Sequence, residues 1–164
     1  MYLLDADTLI KAEDIYYSKE RFPIFWEWLH FQATSGLVKT PLAQYDEVTA
    51  GTGEIVRWLK SDEIASSLIL DEDIDDAMVQ DTIANGYADD LNDIELPKLG
   101  RDPILISHAR ASKGRTVVSF ETSAPSKQRQ NRKVPDVCKD FDIICIDLFG
   151  LIRALDFKIS WTRP

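Results

Sequence analysis

The sequence predicts an α/β protein built on a largely parallel sheet covered on both faces. Short apolar runs alternate along the chain with segments of helical periodicity. Those runs, of which Tyr2–Leu4 and Thr116–Ser119 are typical, lack the polar alternation of a half-exposed strand and suit strands buried on both sides. Two further dipeptides, Thr40-Pro41 and Asp102-Pro103, put a capping residue before a proline, the common opening of a helix. In such a fold, ligands gather outside the carboxyl ends of the strands.

Taken in order, Tyr2–Leu4 forms the first strand and leaves Asp5 at its carboxyl end. Phe22-Pro23 opens a helix in which Phe22, Trp26 and Leu29 recur at helical spacing and which Gly36 ends. Leu37–Lys39 reads as the second strand, and the helix begun at Thr40-Pro41 carries Glu47 and stops near Gly51. Ile55–Leu59 adds a turn or two of helix. Ile74, Met78, Ile83 and Leu91 then supply inward positions for one or two helices whose charged side faces water. Asp102-Pro103 starts another helix, closed by Gly114. Thr116–Ser119 is the third strand, Pro135–Phe141 is helical, Asp142–Ile146 contains the fourth strand, and Leu148–Leu155 is the last helix. No repeat, glycine-rich phosphate loop or low-complexity segment interrupts this pattern.

At 164 residues the chain has the size of one domain. Its 45% hydrophobic content and four tryptophans exclude a disordered polymer, and no apolar run approaches the ~20 residues that cross a bilayer. The opening segment has no basic stretch and meets an acid at Asp5, so no signal peptide is expected, and the expected compartment is the cytoplasm. Cys138 and Cys145 lack metal-ligand spacing and read as reduced, buried cysteines. The net charge of −9 opposes a polyanionic partner, but it is unevenly spread: ten acids and no Lys or Arg lie between Asp71 and Glu95. The segment Thr122–Pro135 is the reverse, carrying Lys127, Arg129, Arg132 and Lys133 and no acid. Those four cations could meet a phosphate chain, or else dock a partner; RNA phosphates are what the resemblance described below implies for them.

Chemistry is expected from separated carboxylates. Asp5 follows an apolar strand, Glu47 sits two turns into a helix, Asp102 begins another, and Glu121 lies two residues beyond the third strand. A parallel sheet lets these positions converge, and acids that close repel one another unless a cation neutralises them. Hard Mg²⁺ or Mn²⁺ is the matching ion. Asp102 alone would more often be a helix cap, and Glu47 alone a solvated acid. Asp5 is harder to dismiss, because burying a carboxylate without a partner is costly. His30 and His108 have no paired acid and are assigned no catalytic part.

The segments Tyr2-Leu3-Leu4-Asp5-Ala6-Asp7-Thr8, Tyr45-Asp46-Glu47-Val48, Gly100-Arg101-Asp102-Pro103 and Val117-Val118-Ser119-Phe120-Glu121 occur in the order and spacing of the PIN domain, and the chain resembles that family, which includes the VapC-type toxins. With Val134-Pro135-Asp136-Val137-Cys138 they resemble a prokaryotic branch of it. The resemblance implies a three-layer α/β/α sandwich and an endoribonuclease dependent on Mg²⁺ or Mn²⁺. It implies Asp5, Glu47 and Asp102 as the principal catalytic and metal-binding acids, with Glu121 as a fourth. It also implies a toxin paired with an antitoxin protein, and a homodimer. Ser119 corresponds to a hydroxyl residue that orients a carboxylate or water. Asp7 stands where Asn or Ser is usual and either adds a metal contact or hydrogen-bonds the loop. Glu121 stands where Asp is usual, which leaves Asp136 as a substitute fourth acid or merely a residue that begins a helix.

Two other functions compete. A PIN-like binding protein without activity is permitted by the same residues, with Phe25, Trp26 and Trp28 leaving an apolar remnant exposed as an interface. A haloacid-dehalogenase-type phosphatase would use Asp5 as nucleophile, but that family needs threonine four residues later and Thr8 comes after three.

Overall fold

The computed structural model describes residues 1–164 and contains a five-stranded, entirely parallel sheet in the order β3-β2-β1-β4-β5. The strands are β1 (Tyr2–Leu4), β2 (Val38–Pro41), β3 (Ile69–Leu70), β4 (Thr116–Val118) and β5 (Ile144–Ile146). Leu3 pairs with Lys39 on one side and Val117 on the other. The chain winds outward from β1 through β2 to β3, then returns across the sheet to lay β4 against β1. The strand order reverses there, and that reversal opens a crevice at the carboxyl ends of β1 and β4.

Nine α-helices cover the two faces: α1 (Ala6–Lys11), α2 (Pro23–Thr34), α3 (Leu42–Thr49), α4 (Glu54–Leu59), α5 (Asp62–Leu68), α6 (Asp76–Gly86), α7 (Asp102–Ala111), α8 (Val134–Asp140) and α9 (Leu148–Ala154). Successive strand residues point to opposite faces. Leu4, Val38 and Val118 enter a core with α1 to α5 and α9. Leu3, Leu70 and Val117 enter a second core with α7 and α8. The result is the expected three-layer α/β/α sandwich. No helix is long and apolar enough to cross a membrane.

Several sequence expectations need correction. Phe25, Trp26 and Trp28 leave no exposed remnant; all three are at most 1% exposed, packed on one another and on Trp58 and Phe157. Thr40-Pro41 does not cap a helix, because β2 runs through both residues and α3 begins only at Leu42. Asp102 is likewise no cap: it is the first residue inside α7, and Arg101 occupies the cap position. The two-residue strand β3 and helix α5 were too short for any periodicity to show. Gly86, on the inward face of α6, packs against α8 so closely that a methyl group there would lie 2.6 Å from Val137 Cγ1.

The charged side of the acidic stretch is not simply solvated. Arg115 binds Glu72 with both carboxylate oxygens, and Arg110 binds Asp81. Arg129, from the basic segment, bridges Asp90 and Glu95. The opposite charge biases of the two segments therefore answer one another across the fold.

Candidate metal centre

The crevice between β1 and β4 is fixed by backbone chemistry before any carboxylate enters it. The Asp5 N–H and the Thr8 hydroxyl both donate to the Val118 carbonyl at 2.9 Å, tying the start of α1 to the end of β4. This holds Asp5 at 7% exposure, where Ser119 Oγ donates to its Oδ2 at 2.7 Å. Ser119 Oγ in turn accepts from the Glu121 N–H at 3.2 Å, so one hydroxyl sets both acids. Ser119 thus sits between the two carboxylate-bearing residues.

Asp102 reaches the same crevice from α7. Gly100, at a φ of +57°, makes the turn that launches this helix, a conformation that glycine adopts without strain. Burial pushes Asp102 up to about 8, and the negative charges of Asp5, Glu121 and Glu47 add to the rise, while Lys133 opposes it. Asp5 is pushed up to about 6, first by burial and then by Asp7, Glu121 and Glu47, with the Ser119 hydrogen bond pulling it down. Asp5, Glu47, Asp102 and Glu121 therefore share one electrostatic field. Glu47 itself is exposed on α3.

The remaining candidates divide sharply. Glu121 is held: Lys133 Nζ donates to Oε1 at 2.5 Å and the Val134 N–H donates to Oε2 at 2.8 Å. Asp136 is not among the acids whose charge bears on Asp5 or Asp102. Its oxygens accept from the Ser123 hydroxyl at 2.5 Å and the Ala124 N–H at 2.7 Å. Burial raises its pKa, but those two bonds together with the charges of Arg132 and Lys139 hold it below the usual carboxylate range. It shapes the loop after β4. Asp7 pairs with Lys11 one turn along α1 at 2.6 Å, and its charge also bears on Asp5.

Of the four cations expected to hold RNA, three are already engaged. Arg129 clamps the acidic stretch, Arg132 binds Asp140 and the Gly86 carbonyl, and Lys133 binds Glu121. Lys127 is exposed and lines a polar cleft of about 270 Å³ with Asp102, Glu121 and Lys98.

Two residues of this region had no signal in the sequence. Gln44 Nε2 donates to the Arg101 carbonyl at 2.8 Å, just before Asp102, while its Oε1 is buried without a partner. The Tyr87 hydroxyl is also buried without a partner, and burial and the charge of Asp102 both push its pKa up. Only the fold brings these segments to the crevice.

No three His, Cys, Asp or Glu side chains stand close enough together to grip one ion directly. The donor set nevertheless fits Mg²⁺ or Mn²⁺. Mg²⁺ keeps several waters and needs only one or two carboxylates with substrate phosphate. Asp5 and Asp102 are hard oxygen donors, and a cation would relieve the charge that Asp5 sets against ionised Asp102.

A family model described as a domain of unknown function (DUF4411) matches residues 2–159. No curated protein and no solved structure matches the chain.

Proposed function

The chain belongs to the DUF4411 family, a membership that leaves its activity to be read from the site, and we propose that it is an endoribonuclease dependent on Mg²⁺ or Mn²⁺. The observation that carries this reading is the burial of two carboxylates, Asp5 at the end of β1 and Asp102 at the start of α7, where burial and neighbouring acids disfavour their charged forms and a cation would relieve that cost. The resemblance to the PIN domain supports it, since the sandwich that resemblance implies is the architecture observed.

In this reading Asp5 and Asp102 hold the ion, with the exposed Glu47 able to swing toward it from α3. Bound Mg²⁺ or Mn²⁺ would supply Lewis acidity toward the phosphodiester and lower the pKa of an attacking water. The Ser119 hydroxyl keeps Asp5 Oδ2 facing the crevice and limits how far its pKa can rise. Glu121, anchored by Lys133 and the Val134 N–H, adds negative charge without being free to wander. Lys127 and Lys98 line the approach to Asp102 and meet backbone phosphates as point charges.

On the same resemblance we assign the chain the toxin role of a type II toxin–antitoxin pair, with an antitoxin protein and a second copy of itself as partners. Induced expression in a bacterial host is then expected to arrest growth, and expression of Asp5→Asn is not.

The activity is tested by incubating structured and single-stranded RNAs with the protein in Mn²⁺, Mg²⁺ or EDTA and mapping the new ends. Attack by water leaves linear phosphate ends and cuts RNA whose 2′-hydroxyls are methylated. Cyclic phosphate ends, or cutting in EDTA, would contradict the reading.

A further inference from the structure

Glu121 lines two clefts. One is the polar cleft beside Asp102; the other, of about 570 Å³, lies within the usual ~300–1,000 Å³ of small-ligand sites and is walled by aromatic rings. Tyr16 stacks on Phe120 with centroids 5.3 Å apart and meets Phe149 edge-on at 5.1 Å. Lys11 Nζ stands 5.5 Å from the Phe120 ring centroid. These rings are not closed into a core: Tyr16 is 38% exposed and its neighbour Ile15 62%. Both sit on a π-helical turn, Ala12–Tyr16, that continues directly from α1. Such turns recur at functional sites.

The cleft is continuous with the carboxylates through the chain itself. Phe120 lies between Ser119 and Glu121, and Tyr16 stands at the end of the helical segment that Asp5 begins. The walls also carry Ser119, Thr122, Ser123 and Asp147, which supply donors and acceptors at the rim of the ring surface. A flat ligand with polar edges suits such a lining better than an aliphatic side chain does. Cations line both clefts, Lys11 in this one and Lys98 and Lys127 in the other, and supply positive charge to a phosphate backbone.

We propose that this aromatic cleft takes an unpaired nucleobase of the substrate strand next to the phosphodiester that is cut, an inference that rests on the ribonuclease reading. The base stacks against the open surface of Tyr16 and Phe149, Lys11 turns from Asp7 toward the flanking phosphate, and the neighbouring phosphodiester comes to the Asp5–Asp102 crevice. A base held inside a duplex cannot enter, so the protein selects single-stranded or splayed segments.

The test is fluorescence titration of the full chain in EDTA, where no metal-dependent cutting occurs, with a short single-stranded RNA carrying a base analogue quenched by stacking. Base–aromatic stacking is worth ~1–3 kcal/mol per base, so Tyr16→Ala is expected to weaken binding about 5- to 150-fold and lose the quench. Tyr16→Trp restores both, and neither variant alters binding of a blunt duplex. Equal binding and quenching by wild type and Tyr16→Ala overturns the proposal, as does failure of wild type to bind the strand. Cleavage lost on Asp5→Asn but unaffected by Tyr16→Ala would leave the ribonuclease reading standing and the cleft proposal refuted. A change of oligomeric state in Tyr16→Ala with RNA binding intact would assign the cleft to a protein partner and also overturn it.

Discussion

Replacing Asp102 by asparagine is expected to stabilise the metal-free protein at pH 8 and to leave it unchanged near pH 4. Asp102 rises from 3.8 to about 8 in the folded state, so the fold favours its protonated form. Between those values the folded chain carries a proton that the unfolded chain lacks, and stability falls as pH rises. At ~1.4 kcal/mol per pH unit the full span gives an upper bound of about 6 kcal/mol. Solvent reaches the half-buried carboxylate, which reduces the expected gain to roughly 2–3 kcal/mol, or about 4–12 °C in Tm for a chain of this size. The assay is thermal and urea denaturation in EDTA across pH 4 to 8, repeated with Mn²⁺. Wild type should lose stability toward pH 8 in EDTA and regain it with Mn²⁺, while Asp102→Asn shows a flatter profile and a smaller Mn²⁺ effect. Asp102→Asn less stable than wild type at pH 8 in EDTA would refute the argument that these acids repel one another in an uncompensated site.

Ser119→Ala removes the hydroxyl that orients Asp5 and is expected to lower Mn²⁺ affinity or cleavage about 10- to 100-fold with the fold intact, read by calorimetry and circular dichroism. Gly86→Ala drives a methyl group toward Val137 and should cost about 1–3 kcal/mol, measured as a lower urea midpoint at unchanged m-value; an unshifted midpoint would show that α6 and α8 separate freely. Arg129→Ala releases Asp90 and Glu95 and should make the segment Thr122–Lys133 more sensitive to limited proteolysis, while RNA binding falls little, because this cation is engaged within the fold. A large loss of RNA affinity in Arg129→Ala would restore it to the phosphate-binding surface.

What could be read from the chain follows from the range of the interactions involved. Asp5 and Glu121 were legible because each follows an apolar run, and a carboxylate at the end of a buried strand needs a partner. Asp102 was legible in position but not in role, since Asp before Pro looks like a cap until α7 is seen to start at that residue. Thr40-Pro41 misled for a related reason: proline suits a first helical turn, yet here it ends β2, paired with Leu70 of a two-residue strand. The sequence offers the basic segment to phosphates or a partner and not to the acidic stretch, because Arg129 and Asp90 are 39 residues apart and only the fold brings them together. The aromatic cleft was invisible for the same reason, its rings coming from a π-helical turn, the end of β4 and α9.

Cleavage of single-stranded RNA in Mn²⁺ by wild type, Asp5→Asn and Asp102→Asn, each shown to be folded, tests the account most directly. The account predicts metal-dependent cutting by wild type and its loss in both variants. Cutting retained by both variants, or none by folded wild type loaded with metal, would contradict it.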